Sequence, residues 1–353
     1  MSWNWNDASM NMSVTAAGMV TPVGFNGETS CAAMRAGIDA FAEENLWDDE
    51  AGEYLKAAKV HLPQWWEGLG KLVDLVAPAI AECMNAARSM SPREIPILLG
   101  VAAPCRMPRM AGLDDQILRD IEYKLGISRH RYSEIIPKGR VSGVVALHRA
   151  AELLRENRAN ACIIAGVDSY VDQEVVRRYR ENRRVFTSNN SNGFIPGEAG
   201  CAVLVTNGYP SEEELRILGI GEGTEPGTVE NGKTLTGNGL TKAIQGALVQ
   251  AGMTMADTDW WLNDQNAEAY KSDECSMVRI RLERRDHPPE IPYQIWTPAE
   301  LIGEIGAAVG PCLLGVAFAA AKKGYLPGPR VLVSTGEDDE RRAAAVLEWK
   351  KGY

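Results

Sequence analysis

The segment KGRVSGVVALHRAAELLREN (138–157) reads as a sharp turn running into a helix with a buried opening. Enzymes mount nucleophiles at such turns. Here Arg140 stands at the turn, and a guanidinium that stays protonated attacks nothing. Ser142 follows closely, but no histidine lies near it in sequence to activate it, which argues against serine catalysis. The seven cysteines (31, 83, 105, 162, 201, 275, 312) form no CxxC pair, and the four histidines (61, 130, 148, 287) form no HxxxH or HxH pair. No metal site is therefore expected. Cys105, in APCRMPRM, has basic neighbours that could lower its pKa, yet an isolated cysteine of this kind reads first as a loop thiol after a strand. Cys275 and Cys312 read as packing residues. GIGEGTEPG (219–227) lacks GxGxxG spacing and its acidic residues would repel phosphate, so a strand end plus a turn is expected. Trp65–Trp66 and Trp260–Trp261 mark packing or a partner surface. The basic run RRYRENRR (177–184) reads as a solvated helix face.

These residues sit in a chain of 353 amino acids with 45% apolar and 24% charged residues, a globular composition large enough for an extensive core. The net charge of −10, with both signs interleaved, argues against nucleic acid or an anionic membrane surface as partner. The start MSWNWNDASMNMSV has neither a basic n-region nor an apolar run, so a cytoplasmic protein with reduced thiols is expected. The longest apolar stretch, GAAVGPCLLGVAFAAA (306–321), is short for a membrane span and rich in Gly and Ala, as a helix buried inside a protein would be. The C-terminal EDDERRAAAVLEWKKGY (337–353) mixes both signs and reads as a solvated helix face.

The elements that must position the turn are apolar runs bounded by Gly or Pro: 12–20, 94–102, 161–169 and 200–205. Helical patterns lie between them. TNGYPSEEE (206–214) is a polar link, and a second series follows: LRILGIGEG, LTKAIQGALVQAGM, TDWWLND, YQIWT, the apolar helix and PRVLVSTGE. Each half carries a Gly-containing turn entering a buried helix, at 139–143 and 303–310, and then returns to an apolar strand. Alternating strands and helices imply an α/β fold with parallel strands covered on both faces. The expected division is 1–206 and 207–353, two halves of one compact unit.

VTAAGMVTPVGFNGETSCAAMRAG resembles the opening of β-ketoacyl synthases, where a strand ends in G-x-x-x-P-x-G and leads to a helix ending AG. ACIIAGVDSYVD resembles their strand closing with GGVD, and NGFIPGEAGCAVLV is similar to their D-G-F-x-x-G-E-G-A block. The resemblance runs from about Met12 to Val205 and, more weakly, through LIGEIGAAVGP. It implies the thiolase fold, two βαβαβαββ halves stacked as five layers α-β-α-β-α. It also implies a homodimer in which the strand 161–169 pairs with its symmetry mate.

The resemblance also implies a catalytic Cys at a strand-to-helix elbow, in A-C-S-S-S-L-x-A-L-H, and two histidines. Against GRVSGVVALH, Arg140 falls at the Cys position and His148 at that of a packing His. Gln265 falls near the first catalytic His and Glu304 at the second. The lysine that normally precedes the second His is absent from WTPAELIG, and STGEDDERRAA replaces the glycine-rich GFGGTNA loop. No catalytic residue, cofactor or metal is therefore expected, and Arg140, Ser142, Phe194, Glu198 and Glu304 are the candidates for any binding site. The expected role is a non-catalytic ketosynthase-like binding or adaptor protein, resembling those encoded beside type VI secretion effectors. The alternatives are an acyltransferase with displaced chemistry and a chain-length-factor-like partner of an active ketosynthase. Expected partners are a second copy, a secreted effector, an acyl carrier protein (for which 177–184 is a second reading) or a ketosynthase. A buried Arg140 needs an anion, so an Arg140–Glu304 pair completed by Gln265 or a backbone carbonyl is expected to plug the old pocket. The competing expectation leaves Arg140 open to a ligand carboxylate or phosphate.

Overall fold

The computed structural model describes residues 11–87, 90–208, 213–286 and 292–351. His287 and part of the link expected at 206–214 lie outside them. The strands are β1 (Met12–Val20), β2 (Phe41–Asp48), β3 (Glu53–Ala58), β4 (Ile97–Gly100), β5 (Glu134–Ile136), β6 (Ala161–Ser169), β7 (Glu198–Asn207), β8 (Glu214–Thr224), β9 (Trp260–Asn263), β10 (Gln294–Trp296), β11 (Arg330–Gly336) and β12 (Arg341–Lys350). The helices are α1 (Gly27–Arg35), α2 (Leu69–Ala86), α3 (Gln116–Leu125), α4 (Ser142–Arg155), α5 (Gln173–Glu181), α6 (Asn238–Ala251), α7 (Ala269–Asp286), α8 (Ala299–Ile302) and α9 (Val309–Lys322).

The main strands run in the order β10-β9-β11-β12-β8-β1-β7-β6-β4-β5. Read outward from the centre, β8-β12-β11-β9-β10 repeats β1-β7-β6-β4-β5. In the strand ladder the halves meet through a short antiparallel pairing of Met12–Val14 with Leu215–Ile217. In layers, α2 packs on β1, β6 and β7, and α3 on α2. On the opposite side, α6 packs on β8 and β12, and α7 on α6. Between the sheets lie α4 and α9, each in contact with strands of both halves. The stack is thus α-β-α-β-α, a thiolase-like mixed α/β fold.

The central layer is buried between the sheets, which explains the composition of its helices. The apolar stretch at 306–321 becomes α9, with Cys312, Leu313, Leu314 and Ala317 fully buried between the sheets. Among the described residues no helix is long and apolar enough to cross a membrane. The two central helices cross at glycines. A Cβ on Gly143 would sit 2.6 Å from Pro311 Cδ, and one on Gly310 would sit 3.0 Å from Gly143 Cα.

Two expectations are corrected here. The C-terminal segment forms β12 rather than a solvated helix, with Arg342 through Leu347 buried. It is covered by α6 on one face and α4 on the other, so no amphipathic alternation survives in its sequence. The strand 161–169 cannot pair with a symmetry mate, because β6 is bonded on both sides, to β4 and to β7. The outer strand of that half is β5. The hairpin of β2 and β3 had no reading in the sequence. It folds with α5 over Tyr170, Val185 and Phe194 as a satellite core.

Gly143→Ala is expected to destabilise the protein by about 1–3 kcal/mol in urea unfolding, because the added methyl meets Pro311. Gly246→Ala, on the exposed face of α6 with only Gly221 Cα at 3.6 Å, should instead be neutral or slightly stabilising. Equal costs at both sites would contradict the glycine crossing.

Candidate functional site

Both central helices begin at an elbow of the same construction. Gly139 (φ 59°) precedes Arg140 and Val141 in one 3-10 turn before α4, and Gly306 (φ 52°) precedes Ala307 and Ala308 in another before α9. Positive φ favours glycine, and here space excludes everything else. A Cβ on Gly139 would lie 1.8 Å from Glu337 Oε2, and one on Gly306 would lie 2.1 Å from Asp168 Oδ2. Each carboxylate takes an N–H of the elbow. Arg140 N donates to Glu337 Oε2 at 2.7 Å, and Ala307 N donates to Asp168 Oδ2 at 3.2 Å. Asp168 ends β6 and Glu337 follows β11, the two corresponding strands, so each half supplies an anion to the helix N-terminus of the other. This is the charge a helix N-terminus favours.

The two elbows differ in what they carry. Arg140 has no exposed surface. Its Nε donates to Glu304 Oε1 at 3.1 Å, and its Nη1 donates to Glu337 Oε1 at 3.2 Å and Asp338 Oδ1 at 2.9 Å. Glu304 also accepts from Gly306 N at 2.8 Å and from Asn266 Nδ2 at 2.6 Å. Asp338 accepts two bonds of 2.8 Å from Arg184 and one of 3.1 Å from Tyr270 Oη. Arg184 in turn forks onto Glu268 at 2.7 and 3.0 Å. Around this lie Lys271 on Asp264 at 2.7 Å and Arg342 on Glu274 at 2.9 Å.

Burial pushes the Asp338 carboxyl up, but Arg140 and Arg184 outweigh it and hold the group well below the usual carboxylate range. Burial acts likewise on Glu304, and Arg140 with Lys271 brings it below its usual value. Glu337 goes the other way: burial raises it, Arg140 offsets only part, and the neighbouring Asp338 adds to the rise.

Of the sequence candidates, the structure brings together Arg140 and Glu304, at ion-pair distance, with the guanidinium buried and its Nη2 without a hydrogen-bond partner among the described residues. Gln265 does not complete the pair. Its N–H donates to Asn263 Oδ1 and its carbonyl accepts from Thr297 Oγ1, while Asn266 reaches Glu304. Ser142 faces away, donating to Ile136 O at 2.9 Å and accepting from Lys138 N at 3.2 Å. Phe194 is buried in a cluster with Tyr170 and Tyr179. Glu198 pins other elements, accepting from Val60 N at 3.0 Å and Ser169 Oγ at 2.7 Å beside Lys71.

Two readings are corrected. Arg184 is buried in the network and Arg180 pairs with Asp48, so 177–184 is not a uniformly solvated face. His148 is half-buried against Glu222 at 3.3 Å rather than in the core. Cys105 is exposed, and its Sγ lies 3.7 Å from Asp339 Oδ2. Partial burial and Asp339 push its pKa up to about 11, the opposite of activation. The residues missed were Glu337, Asp338, Asn266, Arg184 and Glu268. A signal existed for the first two: EDDE directly after an apolar strand places carboxylates at the strand's end, where helix N-termini gather. Among the described residues no group of three or more His, Cys, Asp or Glu is arranged to hold a metal ion.

Residues 141–208 match the family model of the β-ketoacyl synthase N-terminal domain, beginning directly after Arg140. No curated protein matches the chain in sequence. Among solved structures, the chain is similar to one from the complex of a ketosynthase with its chain length factor from Xenorhabdus doucetiae, at 15% identity, covering 97% of this chain and 98% of that one with a TM-score of 0.73. It is also similar to one from a type II PKS acyl carrier protein complexed with its hexaketide-bound ketosynthase, at 14% identity, 97% and 100% coverage and a TM-score of 0.74. A third likeness is to the ishigamide ketosynthase/chain length factor, at 17% identity, 96% and 99% coverage and a TM-score of 0.69.

The network sets opposite pH signatures. Groups with depressed folded pKa values, Glu304 and Asp338, contribute stability that is complete above the unfolded pKa and lost as pH falls through the folded one. Glu337, raised, contributes stability that is complete below its unfolded pKa and lost as pH rises through its folded one. In urea unfolding, Asp338→Asn should therefore destabilise at pH 7 and flatten the acid limb. The difference between Glu337→Gln and wild type should shift in the variant's favour as pH rises. Parallel pH curves for both variants would refute this assignment.

Proposed function

We propose that the chain is a non-catalytic, ketosynthase-like subunit that works by association with an active ketosynthase, as a chain-length-factor-like partner. The observation that carries this reading is Arg140. The elbow that mounts a nucleophile in the resembling synthases here mounts a guanidinium, fully buried and engaged by Glu304, Glu337 and Asp338. Such a site offers no nucleophile to take an acyl chain, and the guanidinium that stands in its place has no exposed surface. A fold kept at this size without that chemistry is best understood as a surface for another protein. The halves 1–206 and 207–353 then act as one scaffold, and Arg140, Glu304 and their partners serve to close it.

The similar structures support a ketosynthase as the partner, because two of them contain a ketosynthase with a chain length factor. An acyl carrier protein is a second candidate, since one similar chain comes from a complex with it. No feature described above favours an accessory of type VI secretion over these. The place for association is the outer strand β5, whose far edge has no strand partner among the described residues. Strand addition there would extend the sheet across a subunit boundary. A second copy could use the same edge, and the composition of the dimer is what the experiment reads.

Intact-mass analysis after incubation with acyl thioesters should show no stoichiometric acyl adduct. Arg140→Cys should not restore condensation, since neither His position nor the glycine-rich loop is present. An acyl mass on any cysteine would instead establish displaced chemistry. Co-expression with ketosynthases of its own host, followed by native mass spectrometry, should give a one-to-one heterodimer. A stable homodimer with no ketosynthase bound would reject the chain-length-factor reading while leaving the non-catalytic one standing.

A further inference from the structure

A pocket of about 170 Å³ opens at the seam between the halves, beside the Arg140 network. Its walls are Lys138, Val141 and Val145 at the start of α4, Glu222–Thr224 at the end of β8, and Arg341 at the start of β12. We propose that this pocket binds a small aliphatic monocarboxylate, with its carboxylate on Lys138 and its alkyl part against Val145.

The charges around the pocket support that class. Arg341 is occupied by Asp339, at 2.9 and 3.0 Å from its Nε. Arg342, which forms part of the wall, turns its guanidinium away to Glu274. Glu222 faces His148 at 3.3 Å. Lys138 is the cation of this wall with no ion-pair partner among the described residues, and its ammonium is a donor without an acceptor. A single carboxylate completes it. Glu222, across the pocket, disfavours a second negative charge, so dicarboxylates and phosphate fit less well. Val145 is half-buried and gives a short alkyl chain apolar contact, with the buried Val141 behind it. The volume admits about a four- or five-carbon acid rather than a long acyl chain, given that ligand pockets for drug-sized molecules run to several hundred Å³.

Saturation-transfer NMR with butyrate on the full chain tests the proposal. Butyrate methyl protons should show transfer, and succinate, inorganic phosphate and butylamine should compete weakly or not at all. Lys138→Met should weaken butyrate binding about tenfold, the scale of one charge-assisted hydrogen bond, and Lys138→Arg should retain it. Thermal melting of each variant without ligand checks that the fold is kept, which a half-buried surface position allows. Binding of butylamine in place of butyrate, butyrate binding unchanged in Lys138→Met, or no transfer to wild type would each overturn the proposal.

Discussion

The constraint on which the rest depends is the meeting of two helix N-termini between two sheets. Both α4 and α9 start in the buried centre of the molecule, where unsatisfied N–H groups and their positive end charge are costly. The fold meets this with carboxylates carried by the opposite half, Glu337 for α4 and Asp168 for α9. The exchange ties the halves together at the point where their layers touch. It also explains why Gly139 and Gly306 admit no side chain: the carboxylate occupies the space a Cβ would take.

Placing an arginine on one of these elbows changes the electrostatics of the whole centre. Glu304, Glu337 and Asp338 gather on Arg140, and Arg184 and Tyr270 then gather on Asp338. Arginine suits this because its planar fork serves several carboxylates at once. A buried network of this sort is weak evidence for net stability, since desolvation offsets the attraction. Removing one member leaves its partners charged in a buried site, which typically costs about 3–5 kcal/mol. Its clearer consequence is geometric. Arg184 lies just beyond α5, so its fork onto Glu268 and Asp338 fastens the hairpin-and-helix cap over the elbow.

Closure at the centre directs attention to the periphery. The strand ladder ends at β5 in one half and β10 in the other, both short. Short outer strands are a common way to limit indiscriminate pairing while leaving a defined place for it. Exposed Trp65, edge-on to Trp66, and exposed Tyr123 lie outside the core, where a partner could cover them.

Local patterning in the sequence determined the fold class, the order of most strands and helices, and the absence of a nucleophile at the elbow. The runs 12–20 and 161–169 became β1 and β6 at their full lengths, because strands covered on both faces appear as unbroken apolar segments. The same rule hid β12, whose flanking arginines and lysines resemble a helix surface when the covering layers are unknown. The sequence also required an anion for a buried Arg140 and indicated Glu304. What it could not determine was the rest of the set. Glu337 and Asp338 lie almost 200 residues from Arg140 in the chain, at separations of 197 and 198. Asn266 rather than Gln265 reaches Glu304, a choice of one residue set by how the turn after β9 leaves the strand. Charge demand is local and legible in a sequence, whereas the identity of the groups that meet it depends on which strand ends the layers bring together. That was decided only by the tertiary structure, through the pairing of one half's elbow with the other half's carboxylate.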